Sequence, residues 1–298
     1  MNWLNRPFIH LILIAILGIL SYSNTFNVPF QWDEQELIEN NPIVKNLSYF
    51  LEPSKAKGFE FYNALKSRYI GYLTFALNYK LHGFDVTGYH VFNITIHILN
   101  ALLVYFLVVL TFRTPYLSNP PSSPFNKGGK EGDLEKGGYI ALFSALLFVS
   151  HPIQTEAVTY IFQRLASLCA FFYLLSLVLY IKWRLQVTLS LTLPHQGGGK
   201  WWGRLHYFRR LSPSPNPLPR GEGVRGRVMP LLLYLASLLS AILAMKTKEN
   251  AFTLPIVITL YEFFFFKGSL GKRVLYLIPL LLTMLIIPLT LIGIDKPV

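Results

Sequence analysis

Hydrophobic residues in this chain are gathered into long blocks, which short polar stretches and two longer polar loops separate. An α-helix needs roughly 20 predominantly apolar residues to cross the hydrocarbon core of a bilayer, and about 17 can suffice. The blocks therefore predict an all-α integral membrane protein, with a single membrane domain over residues 1–298. We expect a bundle of about seven transmembrane helices, at residues 7–24, 88–112, 138–154, 163–182, 229–246, 251–267 and 274–294.

One further apolar segment, "YIGYLTFALNYKL" at residues 69–81, is too short to cross the bilayer comfortably. It falls between the first two predicted spans, within residues 25–87. We expect an interfacial helix that lies on the membrane within a large first outer loop. If this segment crossed the bilayer instead, every later orientation would invert.

Charge supports this topology. The chain is 52% hydrophobic and only 14% charged, whereas soluble domains carry about 25% charged residues. With the N-terminus in the cytoplasm, the predicted cytoplasmic segments 1–6, 113–137, 182–228 and 267–273 carry 17 of the 27 Lys and Arg residues. Cytoplasmic loops of membrane proteins carry such an excess. The net charge of +12 therefore indicates topology and no nucleic-acid partner.

Two cytoplasmic loops differ in composition from the rest of the chain. Residues 114–138 and the basic segment 185–228 are rich in Pro, Gly, Ser and charge, which is typical of disordered loops. Within the second loop, "SPSPNPLPRGEGVRG" resembles a translated intergenic repeat of bacterial genomes, and we expect a bacterial inner-membrane protein. The single Cys169 excludes a disulfide framework and a thiolate metal site.

Ionisable residues gather on the predicted outer side. The first outer loop contains "FQWDEQELIENNP", and the turns at 150–164 and 245–250 read "SHPIQTEAVTYIFQR" and "MKTKEN". Carboxylates can accept a proton from a hydroxyl or hold a divalent cation, and Lys or Arg can hold a phosphate. Such a surface suits a substrate that has a lipid tail, a phosphate and a transferable polar group. A merely solvated acidic loop explains the acids equally well from composition alone.

A polar stripe follows one face of the second predicted span, where His90, Asn93, His97 and Asn100 recur at helical spacing. We favour interhelical hydrogen bonds inside the bundle as the explanation. The functional alternative is that His90 borders a substrate cavity. The spacing disfavours a metal site, because the histidines are not paired at i, i+4 and no carboxylate shares the face.

Four segments occur together in one order: "FQWDEQELIENNPIVKN", "GYLTFALNYKLHGFDVTGYHVFNITIHILNALLVY", "ALLFVSHPIQTEAVTYIFQR" and "AMKTKENAFTLPIVITLYEFFFF". This order resembles the N-terminal membrane part of the transmembrane-and-TPR O-mannosyltransferases, in the glycosyltransferase C (GT-C) superfamily. The resemblance implies a GT-C-like helical fold with its active site on the periplasmic or lumenal face. It also implies inverting transfer of a sugar from a polyprenyl-phosphate donor to a hydroxyl acceptor on a protein or glycan.

The resemblance also assigns roles to residues. Asp33 of "WDE" would be the general base, and Glu34 would support it or join it in holding Mg²⁺ or Mn²⁺; no cofactor is certain. Glu156 would position the acceptor. Three cations are candidates for holding the donor phosphate: Arg68, Arg164 and Lys248. Three further residues would support the site: His90, His151 and Glu249.

This chain also departs from the family pattern. Its sequence contains no 34-residue helical repeat, and it stops at "LIGIDKPV". We therefore keep as alternatives a catalytically inactive, truncated remnant or a membrane scaffold. A transporter ranks last, because the charges lie at the ends of the spans and there is no sign of paired broken helices.

Overall fold

A computed structural model describes residues 7–118, 130–192 and 222–292, and every regular element in those ranges is helical. The all-α prediction is therefore confirmed for that part of the chain. The main helices are α1 (Pro7–Ser21), α2 (Tyr69–His82), α3 (Val86–Phe112), α4 (Lys130–Ser150), α5 (Arg164–Thr192), α6 (Glu222–Met245), α7 (Leu254–Phe265), α8 (Leu270–Leu282) and α9 (Ile286–Ile292).

All seven predicted apolar segments fold as helix, but their lengths differ. Three described stretches are long and apolar enough to cross a membrane: Val86–Phe112, Ile161–Thr188 and Leu270–Thr290. A fourth joins Gly137–Ser150 and Pro152–Thr159, which are bent by 50°. Helix α1 and the apolar part of α6 are shorter. The structure thus supports a membrane protein, and the number of seven crossings stays a prediction.

Helix α2 covers the segment expected to lie on the membrane. Its 14 residues extend only about 21 Å at 1.5 Å per residue, less than the core thickness of roughly 30 Å. Gly71 brings the α2 backbone close against the side chain of Leu165 on α5. The Ile70 amide donates a 3.1 Å hydrogen bond to the Lys246 carbonyl after α6. These contacts fix α2 against the bundle, and its position on the membrane surface stays a prediction.

The three predicted outer segments lie at one end of the bundle, here called the loop end and defined by residues 22–85, 151–163 and 246–253. The Phe162 amide donates to Glu34 in the first outer loop. The bond from Ile70 to Lys246 joins the same loop to the turn between α6 and α7. The first loop therefore bridges the other two segments.

The polar stripe on α3 forms interhelical hydrogen bonds, as predicted. All four side chains are buried, and each hydrogen-bonds a main-chain carbonyl of another segment, which avoids the large cost of an unpaired polar group in an apolar interior. The pairs are His90 Nε2 with Val28 (2.8 Å), Asn93 Nδ2 with Val158 (3.3 Å), His97 Nε2 with Val149 (3.0 Å) and Asn100 Nδ2 with Ser167 (2.9 Å).

A buried ionic cluster, which the hydrophobic pattern does not predict, lies at the opposite end of the bundle. Glu262 on α7 is 0% exposed and lies 3.1 Å from Arg184 Nε on α5 and 3.3 Å from Arg273 Nε on α8. Tyr180 also donates to its carboxylate. Because a buried carboxylate is tolerated only when it is paired and hydrogen-bonded, these contacts tie α5, α7 and α8 together.

The boundaries predicted for the two disordered loops, 114–138 and 185–228, include residues that the structure shows as helix. Helix α4 already begins at Lys130, α5 continues to Thr192 and α6 begins at Glu222. Extending an established helix costs much less than nucleating one, so an apolar span can continue into flanking polar residues. Residues 119–129 and 193–221 lie outside the described part of the chain, and the prediction for them is untested.

Candidate functional site

A small cleft of about 180 Å³ opens at the loop end between the first outer loop and the turn that precedes α5. One wall comes from residues 28–34 and the other from residues 155–160. The lining residues are Val28, Pro29, Gln31, Glu34, Thr155, Glu156, Thr159 and Tyr160. Two carboxylates therefore face one polar cleft from segments that are more than a hundred residues apart in sequence.

Glu34 is the buried carboxylate of the cleft, with 1% of its surface exposed. Its Oε2 accepts a 2.9 Å hydrogen bond from the Gln31 amide and its Oε1 a 2.7 Å bond from the Phe162 amide. Burial raises the pKa of this carboxyl above its usual range, and the neighbouring Asp33 adds to the rise, while the backbone donors oppose it. Glu34 thus holds the two walls of the cleft together.

Asp33 and Glu156 are exposed, in contrast to Glu34. Asp33 directly precedes Glu34 in the sequence. It is exposed, although it does not line the cleft. Glu156 does line it, and its Oε1 accepts a 3.2 Å hydrogen bond from the Gln163 side chain. The predicted acids are therefore near one another, but only Glu34 and Glu156 share the cleft.

The two histidines named as supporting residues act on the backbone around the cleft. His90 holds the Val28 carbonyl of the first wall, while its Nδ1 is buried without a hydrogen-bond partner. His151 caps the short helix Pro152–Gln154, because its Nδ1 accepts from the Ile153 amide. Both residues shape the walls and neither lines the cleft.

Two cations form a separate basic cluster, defined here as Arg68, Lys248 and their neighbour Glu249. The Arg68 guanidinium pairs with both Glu249 oxygens, at 3.1 Å and 3.4 Å, with about one third of each side chain exposed. The Lys248 ammonium forms no ion pair or hydrogen bond within the described ranges 7–118, 130–192 and 222–292. An accessible pair of cations with one free ammonium can receive an anion.

An aromatic layer, defined here as Tyr72, Phe75 and Phe162, packs helix α2 after Arg68 against the segment that holds Glu34. The Tyr72 ring lies 6.4 Å from the Phe162 ring, and Phe75 stacks on Phe162 at 5.9 Å. Phe162 also supplies the amide that binds Glu34, and Tyr72 lies one helical turn after Arg68. The acids and the cations thus share the loop end, but the lining of the cleft contains no cation.

Arg164, the third predicted phosphate ligand, is 0% exposed. Its guanidinium donates to Asn93 Oδ1 at 2.7 Å, to Asn78 Oδ1 at 2.6 Å and to the Tyr89 carbonyl at 3.1 Å. It also lies over the Phe75 and Phe92 rings. Because its donors are used inside the protein, this geometry does not place Arg164 at a phosphate, and we assign it a role in joining α2, α3 and α5.

The predicted cation site of Asp33 and Glu34 does not fit this geometry. Both Glu34 oxygens accept backbone hydrogen bonds, and the described residues contain no group of three or more His, Cys, Asp or Glu that could hold a metal. Divalent cations such as Mg²⁺ need several converging oxygen ligands. We therefore derive no chemical step through a metal.

Sequence reasoning missed the neutral polar residues of the cleft, Gln31, Thr155, Thr159 and Tyr160. Thr159 Oγ1 is buried without a hydrogen-bond partner. Three of these residues lie within the quoted motif "HPIQTEAVTY", and that was the available signal. Hydroxyl and amide side chains occur throughout the sequence, so their presence alone marks no site, although they are what hydrogen-bonds a polyhydroxylated ligand.

Comparison with known proteins gives one consistent group of relatives. The chain is 32% identical over 179 residues to the protein O-mannosyl-transferase F38B6.6 of Caenorhabditis elegans and 31% identical over 186 residues to the human protein O-mannosyl-transferase TMTC4. It is 26% identical over 182 residues to Tmtc3 of Drosophila melanogaster. No family model and no solved structure matches. The resemblance to this group is confirmed.

The matched region is a small part of each relative. It covers 58–59% of this chain but 23% of the nematode and human proteins and 19% of the fly protein. The chain thus corresponds to less than a quarter of these relatives' length. These relatives come from animals, so the bacterial inner membrane stays a prediction.

Proposed function

We propose that this chain is the membrane portion of a glycosyltransferase that moves a sugar, mannose in the first instance, from a polyprenyl-phosphate donor to a hydroxyl group of a protein. The similarity to O-mannosyltransferases supports the reaction class. The observation that carries the proposal is the cleft at the loop end, where two carboxylates and several hydroxyl and amide groups meet. In this proposal the loop end faces the periplasm or lumen.

The chemistry is a single displacement at the anomeric carbon. The acceptor oxygen forms a bond to C1 while the bond from C1 to the phosphate oxygen breaks, so the configuration inverts. The acceptor proton passes to a carboxylate, and the bonding electron pair leaves with the lipid phosphate. Asp33 is the proposed base, because it is the exposed acid on the rim and both Glu34 oxygens already accept backbone bonds.

The basic cluster suits the leaving group. Within the part of the chain that the structure describes, Lys248 has an unpaired ammonium, and Arg68 donates two hydrogen bonds to Glu249 at a partly exposed position. A phosphate that approached from the membrane would meet two cations and one carboxylate, and Arg68 could bind it with its planar fork. Charge that develops on the phosphate oxygen in the transition state would be stabilised there.

Glu34 and Glu156 have different proposed roles. Glu34 is a positioning residue, because its two backbone bonds set the turn that presents Asp33. Glu156 is exposed and lines the cleft, so its carboxylate can accept a hydrogen bond from a sugar or acceptor hydroxyl.

A transfer assay tests this proposal. The chain is reconstituted in liposomes with radiolabelled polyprenyl-phosphate mannose and a library of peptides that contain serine and threonine. We expect Asp33→Asn to reduce transfer about 10²- to 10⁴-fold, the usual contribution of a general base. Glu36→Gln is the matched control, since Glu36 is an exposed acid of the same loop.

Three results would contradict the proposal. Transfer that survives in Asp33→Asn at the level of the Glu36→Gln control would remove Asp33 as the base. A folded, reconstituted wild-type chain that transfers no sugar would favour the scaffold alternative for this portion. Vesicle flux of a labelled solute without any transfer would favour a transporter.

A further inference from the structure

Trp32 has an unusual backbone conformation. Its φ is 54°, and it is the single non-glycine residue with positive φ in the part of the chain that the structure describes. A bulky side chain is strained in this region, and such strain persists only where the surroundings enforce it. The indole is also 86% exposed, so the conformation does not serve to bury it.

The surrounding hydrogen bonds enforce this conformation. The Glu34 amide donates to the Gln31 carbonyl at 3.0 Å, and the Gln31 amide donates back to the Glu34 carboxylate at 2.9 Å, so the turn is closed twice. The Phe162 amide then attaches the same carboxylate to the opposite wall of the cleft. The position of Trp32 is thereby fixed relative to both walls.

This turn places Trp32 on the rim of the cleft. Gln31 and Glu34, which flank the Trp32–Asp33 pair, both line it. The cleft offers acceptors and donors for hydroxyl groups. Among its described lining residues Tyr160 alone carries an aromatic ring, and the Trp32 indole beside the cleft is larger and far more exposed. A large aromatic face held beside carboxylate and hydroxyl groups is a complete set of contacts for a pyranose ring.

We propose that Trp32 is a stacking platform for the hexose ring that occupies the cleft; this rests on the proposed function. The axial C–H groups of a pyranose carry partial positive charge and form an apolar face, which matches the negative face of the indole. The hydroxyl groups at the ring edge would reach Glu156, Thr155 and Gln31. The ring belongs either to the donor sugar or to a sugar on a glycan acceptor.

A bilayer contact is the competing explanation, because Trp is enriched at membrane interfaces. The neighbours of Trp32 disfavour it. Asp33 and Gln31 are exposed on either side, and inserting an ionised carboxylate toward lipid is costly. The sugar ring avoids that cost, since the same carboxylates bind its hydroxyl groups.

Fluorescence tests the platform without requiring turnover. The chain in nanodiscs is titrated with methyl α-D-mannopyranoside, and the Trp32 signal is taken as the difference between wild type and Trp32→Phe. We expect the sugar to protect Trp32 from iodide quenching, with glucose-free buffer and an equal concentration of glycerol as blanks. Quenching by brominated lipid in place of iodide would show that the indole lies in the bilayer and would overturn the proposal, as would absence of sugar protection.

Kinetic variants identify the source of the ring. Trp32→Gly removes the ring and also relieves the strain, because glycine adopts this φ freely, so thermal stability should not fall. We expect one KM to rise about 3- to 10-fold, the equivalent of one aromatic contact. The KM for the donor lipid rises if the donor ring stacks on Trp32, and the KM for a glycosylated acceptor rises if the acceptor ring stacks there. Leu51→Ala is the matched control, because Leu51 is a similarly exposed apolar residue of the same loop, with 85% of its surface accessible. This substitution should change neither KM.

The outcomes separate the two proposals. Sugar protection of Trp32 in a chain that transfers nothing would support the platform and contradict the proposed function. Normal transfer with unchanged KM for both substrates in Trp32→Gly would overturn the platform and leave the function in place.

Discussion

Replacing Arg164 tests whether this buried cation supports the fold or binds the donor phosphate. Its guanidinium makes short hydrogen bonds to Asn78 and Asn93 and a third bond to the Tyr89 carbonyl, with no exposed surface. Lysine keeps the charge but offers a point donor in place of a planar fork. Arg164→Lys therefore changes the geometry, and Arg164→Ala removes the group entirely.

The magnitude follows from the partners left behind. Each buried acceptor that loses its donor costs about 1–3 kcal/mol, although interhelical hydrogen bonds in membranes average only about 0.6 kcal/mol. Three such bonds, together with the cavity and the lost contacts to the Phe75 and Phe92 rings, give a loss of about 3–5 kcal/mol for Arg164→Ala. Arg164→Lys should cost about 2 kcal/mol, since it can retain one or two bonds.

Equilibrium unfolding in mixed micelles, with helicity followed against the mole fraction of SDS, measures this loss. Arg113→Ala is the matched control, because Arg113 is an exposed arginine beyond the end of α3. Transfer is then measured per folded molecule. A variant Arg164→Lys that unfolds like wild type but has a tenfold higher KM for the donor would refute the structural role and return Arg164 to the phosphate.

Two further outcomes follow from buried carboxylates. Because the pKa of Glu34 is raised in the folded state, its contribution to stability is complete below the usual carboxyl pKa of about 4.3 and falls as pH rises through the raised value. Melting temperatures between pH 4 and 8 should lose this decline in Glu34→Gln but keep it in Glu36→Gln, and an unchanged profile would contradict the shift. Glu262→Gln should lower the free energy of unfolding by about 3–5 kcal/mol, because it leaves Arg184 and Arg273 without a charged partner. Transfer per folded molecule should stay constant, and a transfer defect at full stability would contradict this structural role.

The sequence predicts much of this fold because the membrane restricts the choices. Blocks of apolar residues can only form helices there, and all seven blocks do so. The polar stripe on α3 was also predictable, since polar side chains at helical spacing inside a span must find partners. Bends in the helices, such as the break between Ser150 and Pro152, were harder to predict, because the hydropathy of a segment does not show where its helix axis changes direction.

The site was predictable in part. The motif around Asp33 and Glu34 and the motif around Glu156 indicated the two walls, and the structure brings them together. The pattern could not tell an accessible charge from a buried one: Arg68 and Arg164 look equivalent in sequence, yet one lies at a partly exposed pair and the other is enclosed by helices. The pattern also could not reveal the strained turn at Trp32, which depends on a hydrogen bond from the Gln31 amide to the Glu34 carboxylate.

Helix α3 connects the interior of the bundle to the two walls of the cleft. His90 holds the Val28 carbonyl on one wall of the cleft, and Asn93 holds the Val158 carbonyl on the other while accepting from Arg164. Two side chains that do not line the cleft therefore hold its two walls in place. Variation at those two positions would shift the walls relative to each other while leaving every residue that lines the cleft unchanged.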